Sequence, residues 1–126
     1  MRDWIRRVLF RSEKAKQYAL IGLQLNPKQQ RYFPIILCCV GLNEFEEALK
    51  YCNKSIEVDP KFTGAFGWKS SMLGHLDRLD EAKEILSDYL KLRPEIKNIN
   101  DYEKVAPTVI KDILMEGLIK AGMPNE

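Results

Sequence analysis

The sequence predicts an all-α solenoid of helix–turn–helix units, about three of them with the first irregular, closed by a C-terminal capping helix. Three amphipathic segments, each ending on a proline, run in phase: SEKAKQYALIGLQLNP (12–27), EFEEALKYCNKSIEVDP (44–60) and LDEAKEILSDYLKLRP (79–94). Pro27, Pro60 and Pro94 fall 33 and 34 residues apart, and Ala15, Ala48 and Ala82 each precede their proline by 12. Leu25, Val58 and Leu92 stand two before the proline, and Leu23, Ile56 and Leu90 four before it. Four columns held in phase over three copies mark a structural repeat, in which each unit buries its apolar face against the next.

Residues 1–28 form the irregular first repeat. Trp4, Ile5, Val8 and Leu9 share one helical face, with Arg2, Arg6, Arg7 and Arg11 opposite. That pattern predicts a packed first helix with a solvated basic face, a membrane surface or an acidic partner being the other use of such a helix. The next repeat, 29–62, opens with RYFPIILCCVGL (31–42), where Pro34 costs nothing if it lies in the first turn. Its second helix places Phe45, Ala48, Leu49, Cys52 and Ile56 on one face and Lys50, Asn53, Lys54 and Glu57 on the other. Pro60 biases Asp59 away from helix and should stop the run there.

Repeat 63–96 repeats the design, with GAFGWKSSMLGHL (64–76) ahead of 79–94. The turns inside the two units fall around Asn43 and Asp77, residues that tolerate left-handed backbone. Residues 97–126 read as a connector and a cap. Asn100 with Glu103 resembles a capping pair for a short turn. Ile110, Ile113, Leu114, Gly117, Leu118 and Ala121 form one stripe, and Gly122 followed by Pro124 stops the helix.

These residues resemble the tetratricopeptide repeat (TPR) family, whose pattern has period 34. Tyr32, Ile35, Phe45, Ala48 and Pro60 match it in the middle copy; Phe66, Leu73, Leu79, Ala82, Leu86 and Pro94 match it in the next. Ile36 and Ser70 replace the usual glycine, and bulky Tyr89 at a normally small position implies that no regular fourth repeat follows. The ending EGLIKAGMPNE (116–126) is similar to tails of bacterial class III cyclases and winged-helix regulators, both signalling proteins.

Composition narrows the function classes. The chain has 126 residues, 45% hydrophobic and 30% charged, with a net charge of +2. Residues 1–16 hold six basic side chains against two acidic ones, so the basic character is local, and nucleic acid is not an expected partner. Three cysteines, Cys38, Cys39 and Cys52, make no disulfide framework and read as core thiols of a reducing compartment. The longest apolar run, IILCCVGL, is far short of the roughly 20 residues of a membrane span. With no secretory signal read at the start, a cytoplasmic protein is expected.

No enzyme chemistry is expected. His75 is the only histidine, so neither a nucleophile–base pair nor a metal ligand set is apparent, and no cofactor is implied. Glu44, Glu46, Glu47, Asp77, Asp80 and Glu81 cluster at second-helix starts, where they complement the helix dipole. Binding is the better prospect. The resemblance puts first helices on a concave wall, implying Phe33, Leu37 and Val40, then Trp68, Ser71 and His75, as partner-binding residues. None is the Lys, Arg or Asn of the family's carboxylate clamp, so an apolar peptide or helix is the expected guest. Two other covers for the wall remain, a second copy of the chain in a homodimer or the chain's own 107–121 helix.

Overall fold

A computed structural model describes residues 14–21 and 32–126. The basic segment around Trp4, and Leu23, Leu25 and Pro27 of the first copy, lie outside the described residues. All regular structure among the described residues is helical: α1 over residues 14–21, α2 (Phe33–Gly41), α3 (Phe45–Val58), α4 (Gly64–His75), α5 (Leu79–Leu92), α6 (Ile99–Val105), a 3-10 turn (Thr108–Ile110) and α7 (Lys111–Ala121). This is the all-α, TPR-like helical repeat that the period predicts.

Helices α2–α3 and α4–α5 are two hairpins closed by the same turn. Asn43 (φ 59°) and Asp77 (φ 57°) occupy the left-handed region. The Asn43 and Glu44 amides donate to Val40 and Cys39 carbonyls, and those of Asp77 and Arg78 to Gly74 and Leu73. This pairing is the Schellman motif, with Asn and Asp taking the place of glycine. Gly122 (φ 105°) ends α7 in the same way, its amide donating to Ile119 and that of Met123 to Leu118. Pro34 lies in the first turn of α2, and α3 stops at Asp59 ahead of Pro60. Acidic side chains stand in the first turns of α3 (Glu46, Glu47) and α5 (Asp80, Glu81), as the dipole favours.

The core takes Ile35, Ile36, Cys39 and Val40 from α2, and Ala48, Leu49, Tyr51 and Cys52 from α3. Tyr51, absent from the expected stripe of α3, is buried and stacks on Tyr32 at 6.0 Å. Ser70 is fully buried, and its hydroxyl donates to the Ala82 carbonyl at 2.9 Å. The polar group is thereby satisfied where the two helices of the hairpin touch. Lys16 fastens α1 to this body through Glu44 and Glu47, the latter at 2.9 Å.

After Pro94 the regular alternation ends. Buried Tyr89 lies over Gly67, where an added Cβ would meet the ring at 3.0 Å, and it meets Tyr102 of α6 edge-on at 6.2 Å. The bulky residue is thus accommodated by a glycine behind it and a short helix in front. The N-cap of α6 is not the expected Asn100: Asn98 caps, accepting from the Asp101 amide at 3.0 Å, while Asp101 accepts from the Lys97 amide at 3.0 Å. Capping needs the side chain three residues before the amide it serves and outside the helix, and Asn100 is already inside it. Helix α7 then packs most extensively on α4, with lesser contacts to α5 and α6, and the 3-10 turn reaches α2.

Candidate functional site

The first-helix wall consists of α2 and α4, and its two ends have different surroundings. At the C-terminal end of α4, α7 lies against it. Ser71 Oγ donates to the Leu114 carbonyl at 2.8 Å and His75 Nε2 donates to the Ile113 carbonyl at 2.7 Å. Both helical carbonyls accept a second bond with their free lone pair. The backbones approach closely at Gly74 and Gly117: a Cβ on Gly74 would strike the Gly117 carbonyl, and one on Gly117 would strike Ser71 and stand 2.7 Å from the His75 ring. The imidazole is held on its other side by Phe45, parallel to within 2° at 4.2 Å between centroids.

The six residues predicted from the wall therefore separate. Ser71 is fully buried with its hydroxyl committed to α7, and His75 is half-buried between Phe45 and α7. Val40 is fully buried in the core, and Leu37 packs against that core while half-buried. Among the described residues, Phe33 and Trp68 come together at a cavity. Their rings lie 5.1 Å apart, and Phe62, from the turn before α4, meets the same indole edge-on at 5.5 Å. Phe33 and Phe62 are 39% and 41% exposed, whereas Trp68 between them is 5% exposed.

This aromatic group forms one wall of a cavity of about 430 Å³. The remaining lining comes from Lys61 and Thr63 ahead of α4, Gly64 at its start, Tyr89 and Arg93 at the end of α5, and Tyr102, Val105 and Pro107. Phe62, Lys61 and Arg93 escaped sequence reasoning because they stand in turns between helices, outside any helical stripe. Their one signal was position, just after Pro60 and just before Pro94. Arg93 is fastened to Glu95, which holds that carboxyl below its usual range through its hydrogen bond to the guanidinium. Burial raises the Tyr89 phenol to about 12 and drives that of Tyr102 higher still, so both stay neutral. The Tyr102 hydroxyl is buried without a hydrogen bond of ordinary geometry, the Trp68 indole being its polar neighbour.

A second cluster lies at the start of α3. Ligand atoms of Cys39, Glu44 and Glu47 stand within 4.8 Å of one another, a spacing that could hold a metal ion. Lys16 already bridges both of its carboxylates. Burial disfavours the Lys16 charge, yet its bonds to Glu44 and Glu47 outweigh this and raise its pKa, and the same bond to Lys16 lowers that of Glu47. Burial also pushes the Cys39 and Cys52 thiols up to about 12, far from thiolate chemistry at neutral pH. Both are core thiols, as expected.

Among the described residues no helix is long and apolar enough to cross a membrane. No curated protein matches the sequence. A family model described as a tetratricopeptide repeat matches residues 37–62, the stretch from the middle of α2 through α3 to Phe62 at the cavity, so the likeness covers part of one hairpin of a TPR-like helical repeat.

Proposed function

We propose that this chain is a non-enzymatic protein-interaction module that seats an apolar segment of a partner at the aromatic end of its first-helix wall. Phe33 and Phe62, each about two-fifths exposed over one indole, support this reading. Large rings left half in water, backed by a rigid buried ring, are what a binding anchor needs. Phe33, Phe62 and Trp68 would touch the guest. Leu37, Val40, Ser71 and His75 would shape the wall and hold α7 on it. Three unpaired thiols suit a reducing, cytoplasmic setting. The test is affinity capture of partners by the wild type and by a Phe33→Ala/Phe62→Ala double variant. Loss of capture at unchanged far-UV helicity is expected; equal capture by both proteins would sink the aromatic site.

The second reading is self-association as a regulatory segment, in line with the resemblance of residues 116–126 to tails of signalling proteins. Its structural support is Leu92 at the end of α5 and Ile119 on α7, each 46% exposed. Sedimentation velocity across a concentration series separates the two. A dimer that Ile119→Glu dissociates favours self-association, and a monomer at every concentration removes it.

A further inference from the structure

We propose that the cavity beside Phe33, Phe62 and Trp68 receives one aromatic side chain presented by an acidic stretch of polypeptide. This rests on the protein-binding reading above and specifies what the partner must present. The cavity, at about 430 Å³, falls in the range of about 300–1,000 Å³ usual for ligand sites. Phe33 and Phe62 meet the Trp68 indole tilted and edge-on, at 5.1 and 5.5 Å. A further ring placed among them gains the offset and edge contacts that aromatic groups prefer.

The charge of the lining selects among aromatic and cationic guests. A cage of aromatic faces usually welcomes a cation. Here the lining carries two cations, Lys61 and Arg93, and no carboxylate. Lys61 makes no ion pair among the described residues; its backbone amide bonds to Asp59 Oδ1, leaving the ammonium for solvent or a guest. Arg93 is steadied by Glu95, which stands outside the lining, and its Nη1 reaches Thr63 Oγ1 at 3.5 Å. With the Arg93 charge shared with Glu95, the Lys61 ammonium sets the sign of this rim, which disfavours a lysine or arginine guest and attracts a carboxylate beside an inserted ring. Lys61 is exposed and Arg93 half-buried, so acidic residues in water should flank the ring while the ring itself enters the cavity.

The probes are short peptides with blocked termini, so that no chain-end carboxylate contributes: acetyl-Glu-Glu-Phe-Glu-Glu-amide, its lysine counterpart, and the acidic peptide with Ala for Phe. Full-length protein carrying Trp4→Phe leaves Trp68 as its only tryptophan and makes its fluorescence the reporter. The acidic phenylalanine peptide should bind saturably and at least about fivefold more tightly than either control. Lys61→Glu, at an exposed turn residue, should weaken it by roughly twofold to fivefold and narrow the gap to the lysine peptide. Phe62→Ala should abolish the saturable response. Equal binding of the lysine peptide, equal binding of the alanine peptide, or no binding by any of them would overturn the proposal. Phenylacetate binding as tightly as the acidic peptide would overturn it too, because the guest would then be a small aromatic acid. Partner capture lost in the double phenylalanine variant but indifferent to Lys61→Glu, with no peptide preference, would leave the protein-binding reading standing and remove the acidic aromatic guest.

Discussion

Helices α4 and α7 cross at Gly74 and Gly117, and neither position has room for a methyl group. The obstacle at each is backbone or a buried side chain rather than a flexible tip, so relief requires the helices to part. Gly117→Ala should therefore cost about 1–3 kcal/mol by urea denaturation, the usual scale of overpacking, although alanine is the better helix former. Tyr102 illustrates the opposite case. Its hydroxyl is buried without an ordinary hydrogen bond, so it was desolvated with little in return. Tyr102→Phe should leave stability unchanged or raise it by up to about 1 kcal/mol, read from the same curves. Neither residue announces its role in the sequence: Gly117 falls on the expected stripe of α7, but only the crossing shows why it lacks a side chain.

At the scale of elements, α1 is tied to the hairpin of α2 and α3 by Lys16 between Glu44 and Glu47. The folded pKa of Glu47 is lowered from its ordinary 4.5, so its contribution is present above that value and fades as pH falls through the lowered one. Lys16 is raised above its ordinary 10.5, so its contribution is complete below that value and fades only in strong alkali. A Lys16→Met variant should lose about 1 kcal/mol or less at pH 7, because both carboxylates are about a third exposed and solvent screens them. The difference between variant and wild type should shrink below pH 4.5. Thermal melts at pH 7 and pH 3 check both statements. The helices and their stops at Asp59, Arg93 and Gly122 were legible from proline and glycine positions, and the turns from Asn43 and Asp77. The cap of α6 lies two residues before the expected Asn100, because Asn98 and Asn100 both precede acidic residues by three and only backbone geometry chooses between them.

For the whole molecule, the decisive event is the return of residues 107–126 across α4 and onto α2. Leu114 and Leu118 are fully buried by it, each worth about 1.5–3 kcal/mol. A chain ending at Ala106 should melt more than about 10 °C lower and bind a hydrophobic dye, since the face around Ser71 and Gly74 is then uncovered. A truncated chain with unchanged melting and no dye binding would mean that α7 contributes little to the fold. This return also divides the candidate site. The six wall residues followed from the resemblance, which places first helices on the wall, and that placement distinguishes neither the end that α7 covers from the end left open nor a turn residue such as Phe62 that completes the aromatic group.

The sequence by itself determined the helical repeat, its hairpins, its turns and a final apolar helix, because these depend on local rules: side-chain period, proline and glycine stops, and tolerance of left-handed backbone. Only the tertiary structure decided where that last helix lies and which wall residues remain accessible. An amphipathic stripe states that a face must be buried but carries no information about which surface will cover it. That choice was made by Gly74, Gly117, Ser71 and His75, which fit α7 to α4 and leave Phe33, Phe62 and Trp68 at the open end.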